Sequence, residues 1–333
     1  SAMALGAAVL GGASNDATGQ RSLAAGGESN KAEGYQSMAL GGLNNIASSD
    51  YSVTIAGENN VADGHNAVTI GGNTLQALNR GAVAMGGTMN VAEASRSVVI
   101  GGEYNRTTGY ESAVFGGDWN VASGDTAVAA GGKYNEANGD YSLAFGGQSN
   151  DSNGLYSVTI AGIYNKATSE NAVAVGGRSN SATNTGSVAL GGMLNVASGE
   201  RSLAAGGEAN VASGYQSMAL GGASNESSGK YSVTVAGIGA KATSENAVVV
   251  GGRSNSAVAL GSVAIGGKSN SATGTRSLAA AGEDNVAAGY ESMTLGGTLN
   301  ISKGSYSVTI AGISNSATAE NTVAMGGRNN NAT

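Results

Sequence analysis

Side chains with catalytic or metal-binding chemistry are few in this sequence, and they are scattered. The single histidine, His65, has no cysteine anywhere in the chain to join it, and one imidazole cannot build a zinc site, which needs three or four protein ligands. Asp50, Asp63, Glu103, Asp125 and Glu136 stand singly at variable positions, whereas glycoside cleavage requires two carboxylates held at a fixed separation. The glycine pairs are not followed by the spacing of a phosphate-binding loop. A calcium-binding roll would repeat every nine residues around an aspartate, and here the constant polar residue is uncharged asparagine. The chain is therefore expected to be no enzyme and to use no cofactor or metal. A formal charge of −7 without any Lys/Arg cluster also argues against a nucleic-acid partner.

What the sequence does have is a period. Gly-Gly pairs run from Gly11-Gly12 to Gly326-Gly327 in a fixed fifteen-residue phase, through 22 corners without an insertion or deletion. Ala-Gly replaces the pair at Ala56, Ala161, Ala236, Ala281 and Ala311. Asn stands at every multiple of fifteen up to 330 except Leu75 and Ala240. Such strictness is what stacked coils demand, because each corner must sit on the one below. The asparagine column reads as a ladder whose amides bond to neighbouring coils.

Composition narrows the architecture. The chain has 57 Gly, no Pro, no Cys, one Trp and two Phe, and only 12% of it is charged. Its core must be thin and made of small residues. No stretch approaches eighteen apolar residues and no signal peptide opens the chain, so an exported protein would be represented here by a processed or excised piece.

Ser157-Val158-Thr159-Ile160 and Ser262-Val263-Ala264-Ile265 alternate large and small, which predicts strands with the two large apolar residues on one face. That face is expected to be the interior, joined there by the Ala of each Asn-x-Ala stretch. Fifteen residues less two corners leave two strands of roughly four to five residues. The fold class predicted is all-β, a flat two-sided parallel β-solenoid of about 22 coils, forming one repetitive domain over residues 1–333. So thin a core should recruit copies of itself.

The coils are not equivalent. The residue before each Ser follows the order Arg21, Gln36, Tyr51, Asn66, Gly81, which returns from Arg96, Arg201 and Arg276. This is a 75-residue cassette of five coils, and the second copy carries two extra coils near residues 113–142. That enlarged cassette alone has Tyr104, Trp119, Tyr134, Ser149 and Tyr164 at one place in successive coils. In-register aromatics are a candidate receptor-binding surface, since Tyr and Trp dominate interface hot spots; the plainer reading is an edge ladder that stabilises the stack. Tyr104, Trp119, Tyr134 and Tyr164 are the candidate receptor-binding residues.

Segments such as Asn171-Ala172-Val173-Ala174-Val175-Gly176, Ser262-Val263-Ala264-Ile265-Gly266 and Asn321-Thr322-Val323-Ala324-Met325-Gly326, each followed by x-N-x-A, resemble the head repeats of YadA-like trimeric autotransporter adhesins. The period of fifteen and the Gly-Gly corner are similar to the GG-type heads of that family. The resemblance implies a left-handed parallel β-roll assembled as a homotrimer. Val173 and Val175 would then fill the roll, and Ala174 would face the threefold axis. It also implies export to the bacterial cell surface and anchoring to the outer membrane through a stalk and anchor outside this chain, with Ser1-Ala2-Met3 as vector-derived residues. The implied function is attachment to host cells or extracellular matrix, with collagen, fibronectin or a host receptor of the carcinoembryonic-antigen-related (CEACAM) type as partner. The rival expectations are a structural spacer rod and an ice-binding or surface-layer solenoid.

Overall fold

The computed structural model describes all 333 residues, Ser1–Thr333, as strands and turns with no helix. Every coil has one three-residue and one two-residue strand, beginning with Ala8–Leu10 and Asp16–Ala17 and ending with Val323–Met325 and Asn331–Ala332. This is a parallel β-solenoid of about 22 coils. The strands are shorter than the four to five residues expected. The corners account for the difference, because each takes up residues in left-handed conformation.

The chain divides into two compact units, Ser1–Tyr164 and Asn165–Thr333. In the first, Ala8, Val9 and Leu10 pair in parallel with Leu23, Ala24 and Ala25. In the second, Val173, Ala174 and Val175 pair with Val188, Ala189 and Leu190. Within each unit the offset is fifteen residues from coil to coil, so like residues form columns.

The corners explain the glycine pattern. In one coil Arg21, Gly26, Gly27 and Ser29 all have φ between 56° and 68°. This turns their backbones so that Arg21, Gly26 and Ser29 donate N–H bonds back to Leu5, Leu10 and Ala13 of the coil below. Left-handed backbone costs a non-glycine residue on the order of 1 kcal/mol, and these coil-to-coil bonds offset it. The two glycines differ in what they must avoid. A Cβ on Gly41 would meet nothing within 4 Å, whereas one on Gly42 would lie 2.2 Å from the Gly57 carbonyl and 2.5 Å from Asn45 Nδ2. Only the first glycine of the pair is ever replaced by alanine, as at Ala56 and Ala161.

The interior reverses the expected face of the longer strand. Ala264 is 0% exposed while Ile265 is 43% exposed, and Val263 is half-buried. The same holds for Val158-Thr159-Ile160, where Thr159 is buried, and for Val173-Ala174-Val175, where Ala174 is buried and both valines are only partly covered. Val173 and Val175 therefore do not fill the roll, and Ala174 does not face outward. The reason is width. The shorter strand brings its own alanine inward, as at Ala167 and Ala182, and two facing alanine columns leave little room for longer side chains. Buried Asn and Ser close the two ends of most coils, as Asn180 and Ser187 do, with alanine in place of the Ser at Ala67, Ala82, Ala127, Ala172 and Ala247. Threonine takes the inward place of the longer strand at Thr54, Thr69, Thr159, Thr234, Thr294 and Thr309, and valine at Val99, Val114 and Val249.

Candidate binding surfaces

The buried asparagines of the column spend their amides on the stack. Asn120 Oδ1 accepts the backbone N–H of Asn135 at 2.9 Å, and its Nδ2 donates to Gly116 O at 3.0 Å in its own corner and to Gly131 O at 3.2 Å in the next. Buried amides so paired hold one coil on another and have no capacity left for a ligand. The ladder ends locally at Leu75 and Ala240, whose N–H groups bond Asn60 and Asn225 but which pass no side-chain acceptor onward.

The aromatic column lies at the corner between the longer strand and the asparagine. Tyr104, Trp119 and Tyr134 have φ between 54° and 57°, which turns their side chains away from the packed interior. Tyr104 and Trp119 stack with centroids 4.5 Å apart and planes 13° from parallel; Trp119 and Tyr134 lie 6.2 Å apart at 32°. Trp119 and Tyr134 remain 46% and 44% exposed. Lys133 extends over the Tyr134 ring at 5.0 Å and pairs with Asp118 at 2.9 Å, and hydrogen bonding to that carboxylate raises the Lys133 pKa above the ordinary lysine value. Tyr164 occupies the same column and is exposed, but Ser149 separates it from the stack. Three of the four candidates thus come together, and the fourth stands apart.

A second aromatic surface, at the other corner, escapes a reading that follows only the residue before each serine. Its signal in the sequence is the recurring tetrapeptide Gly34-Tyr35-Gln36-Ser37, Gly109-Tyr110-Glu111-Ser112, Gly214-Tyr215-Gln216-Ser217 and Gly289-Tyr290-Glu291-Ser292. In each copy the cassette arginine one coil earlier donates to the tyrosine hydroxyl: Arg21 to Tyr35 at 3.1 Å, Arg96 to Tyr110 at 2.7 Å, Arg201 to Tyr215 at 3.4 Å and Arg276 to Tyr290 at 3.1 Å. In three copies the tyrosine of the next coil meets that ring edge-on, as in Tyr35–Tyr51, Tyr215–Tyr231 and Tyr290–Tyr306 at 5.5, 5.7 and 5.6 Å. Thr126 takes the third place in the enlarged cassette. Where the cassette has Glu, the arginine also pairs with it, Arg96 with Glu111 at 2.7 Å and Arg276 with Glu291 at 3.1 Å. Its bond to Arg96 holds the Glu111 carboxyl below the usual carboxylate range, and the bond to Glu291 pushes the Tyr290 hydroxyl up.

The third surface is apolar. The outer positions of the longer strands line up Ile55, Ile100, Phe115, Phe145 and Ile160 in the first unit and Leu190, Val250 and Ile265 in the second, all exposed. The outer face of the shorter strands is mixed instead, with Asp16, Lys31, Ile46 and Val61 at one column. No three His, Asp or Glu side chains converge to hold a metal ion.

Fold and corners together define a class: a parallel β-solenoid with an alanine core, an internal asparagine ladder and one apolar outer sheet face. Two stretches, residues 17–44 and 197–224, match the family described as YadA head domain repeat. Both copies open at the same point of the cassette, just before Arg21 and Arg201, and they include the tetrapeptides at Tyr35 and Tyr215. The family resemblance read from the sequence holds in these stretches. No curated protein matches the chain.

Proposed function

We propose that this chain is the head of a trimeric bacterial surface adhesin and attaches the cell to host cells or extracellular matrix. YadA-like domains are trimeric adhesins, and the repeats bring that reading to this chain. The observation that carries it is the apolar face of the longer strands. Half-exposed Ile, Val, Leu, Met and Phe recur there at successive levels, and an apolar face of that extent marks an interaction surface. Identical columns on identical chains bury one another under rotational symmetry. In this reading three rolls of left-handed sense share that face, and the roll is displayed outside the outer membrane by a region beyond this chain. The chain does no catalysis.

With the apolar face given to assembly, the corners are left for partners. The Tyr104–Trp119–Tyr134 stack is the candidate contact for a host receptor or matrix protein, because large, ring-locked side chains bind at low entropic cost. The test is adhesion of the purified chain to epithelial cells and to immobilised collagen and fibronectin, with Trp119→Ser/Tyr134→Ser beside the native protein. Saturable binding that falls at least about tenfold in the double variant, at unchanged melting temperature, is expected. Equal binding by both proteins, or none by either, would remove the ladder from recognition.

A further inference from the structure

The fourfold Arg–Tyr cluster points to a second kind of ligand. Other outward positions of the same coils have diverged among the cassettes: Ser29, Tyr104, Ala209 and Asp284 occupy one, and Lys31, Arg106, Val211 and Val286 another, although Glu28 recurs as Glu103, Glu208 and Glu283. Stacking does not require tyrosine at the corner either, since Gln20, His65, Arg80, Ser95 and Leu155 fill the same column elsewhere. Yet the arginine, the tyrosine and the Gln or Glu return in every cassette.

The four copies fall into two states. In those with glutamine, the Tyr35 hydroxyl accepts from Arg21 and from Gln36 Nε2 at 3.4 Å, and the Tyr215 hydroxyl accepts from Arg201 and from Gln216 Nε2 at 3.4 Å. A hydroxyl that accepts twice keeps its own proton to donate. The glutamine Oε1, the remaining guanidinium N–H groups and two tyrosine rings set edge to face complete the surface, and Tyr51 and Tyr231 are 41% and 39% exposed. Lys230 adds a cation over both rings of the second copy, 5.7 Å from Tyr215 and 4.9 Å from Tyr231. In the copies with glutamate, the carboxylate takes up the arginine.

We propose that the Arg21–Tyr35–Gln36–Tyr51 and Arg201–Tyr215–Gln216–Tyr231 clusters bind neutral oligosaccharide, and that the glutamate copies are closed by their own ion pairs. A sugar presents C–H faces to an aromatic ring and hydroxyls that both donate and accept, which is the mixture these clusters offer. Charge selects the neutral class. Asp50 accepts the Tyr35 N–H at 2.9 Å in the first cluster, and in the second Glu200 lies 3.9 Å from Arg201 with Glu245 in the same corner column as Lys230, so neither cluster has the cationic excess that a sulfated or sialylated glycan would seek. The two sites also differ in place from the Trp119 stack.

Saturation-transfer NMR with lacto-N-neotetraose, sialyllactose and a heparin hexasaccharide tests this on the intact chain. Signal is expected from the neutral sugar, reduced about tenfold in the near-isosteric Gln36→Glu/Gln216→Glu variant and in Tyr35→Phe/Tyr215→Phe. Glu291→Gln, where Tyr306 supplies the second ring, should open a third site and raise the signal by about half. Loss of signal in Trp119→Ser/Tyr134→Ser would move the site to the stack and overturn the proposal. So would binding of the charged glycans alone, no binding of any of the three, or an undiminished signal in both paired variants at the tyrosine clusters.

Discussion

At the scale of single residues, the asparagine column carries the stack. Asn210 Oδ1 accepts the Asn225 N–H at 3.1 Å, and its Nδ2 reaches Gly206 O at 2.9 Å and Gly222 O at 3.3 Å. Asn210→Ala would strand those carbonyls and that N–H inside the coil. Each buried orphan costs about 1–3 kcal/mol, so a loss of roughly 3 kcal/mol is expected in chemical denaturation. The complementary change, Ala240→Asn, supplies the acceptor that Asn255 N–H lacks one coil later and should raise stability by about 1 kcal/mol. The importance of these asparagines was legible from sequence alone because backbone geometry enforces them at each level. The corner clusters were harder to read. Their residues are solvent-facing, the fold tolerates many types there, and Tyr35 acquires meaning only when Arg21 is placed one coil beneath it.

At the scale of the strand, period-two alternation identified the elements but left their inward face undetermined. A large-small-large triplet is equally regular with either parity facing the core. The clue lay in the shorter strand. Asn-x-Ala sends its alanine inward, and a coil with one alanine wall takes a single residue opposite it, alanine, threonine or at most valine as at Val99, Val114 and Val249, not the two large flanking residues together. Ala264 and Ile265 make the distinction measurable. Ala264→Leu overpacks the interior and should cost about 2 kcal/mol, while Ile265→Ala should leave the melting of a dissociated chain almost unchanged and weaken its self-association. The opposite order in thermal melts of the dissociated chain would restore the larger residue to the inside.

At the scale of the whole molecule, the division of labour follows from which surfaces remain. Alanine columns fill and asparagine ladders tie together the interior of each unit, the apolar strand face has no partner within the chain, and the two corners present aromatic and polar groups to solvent. Assembly through the first and recognition through the second is the account that uses all three, and the YadA head domain repeats at residues 17–44 and 197–224 agree with it. Its central claim is that copies of this chain close over the apolar face in threes. Light scattering coupled to size-exclusion chromatography measures this directly. A particle of three times the chain mass of 32.2 kDa that persists at micromolar dilution is expected, and a particle of one chain mass under the same conditions would rule trimeric closure out.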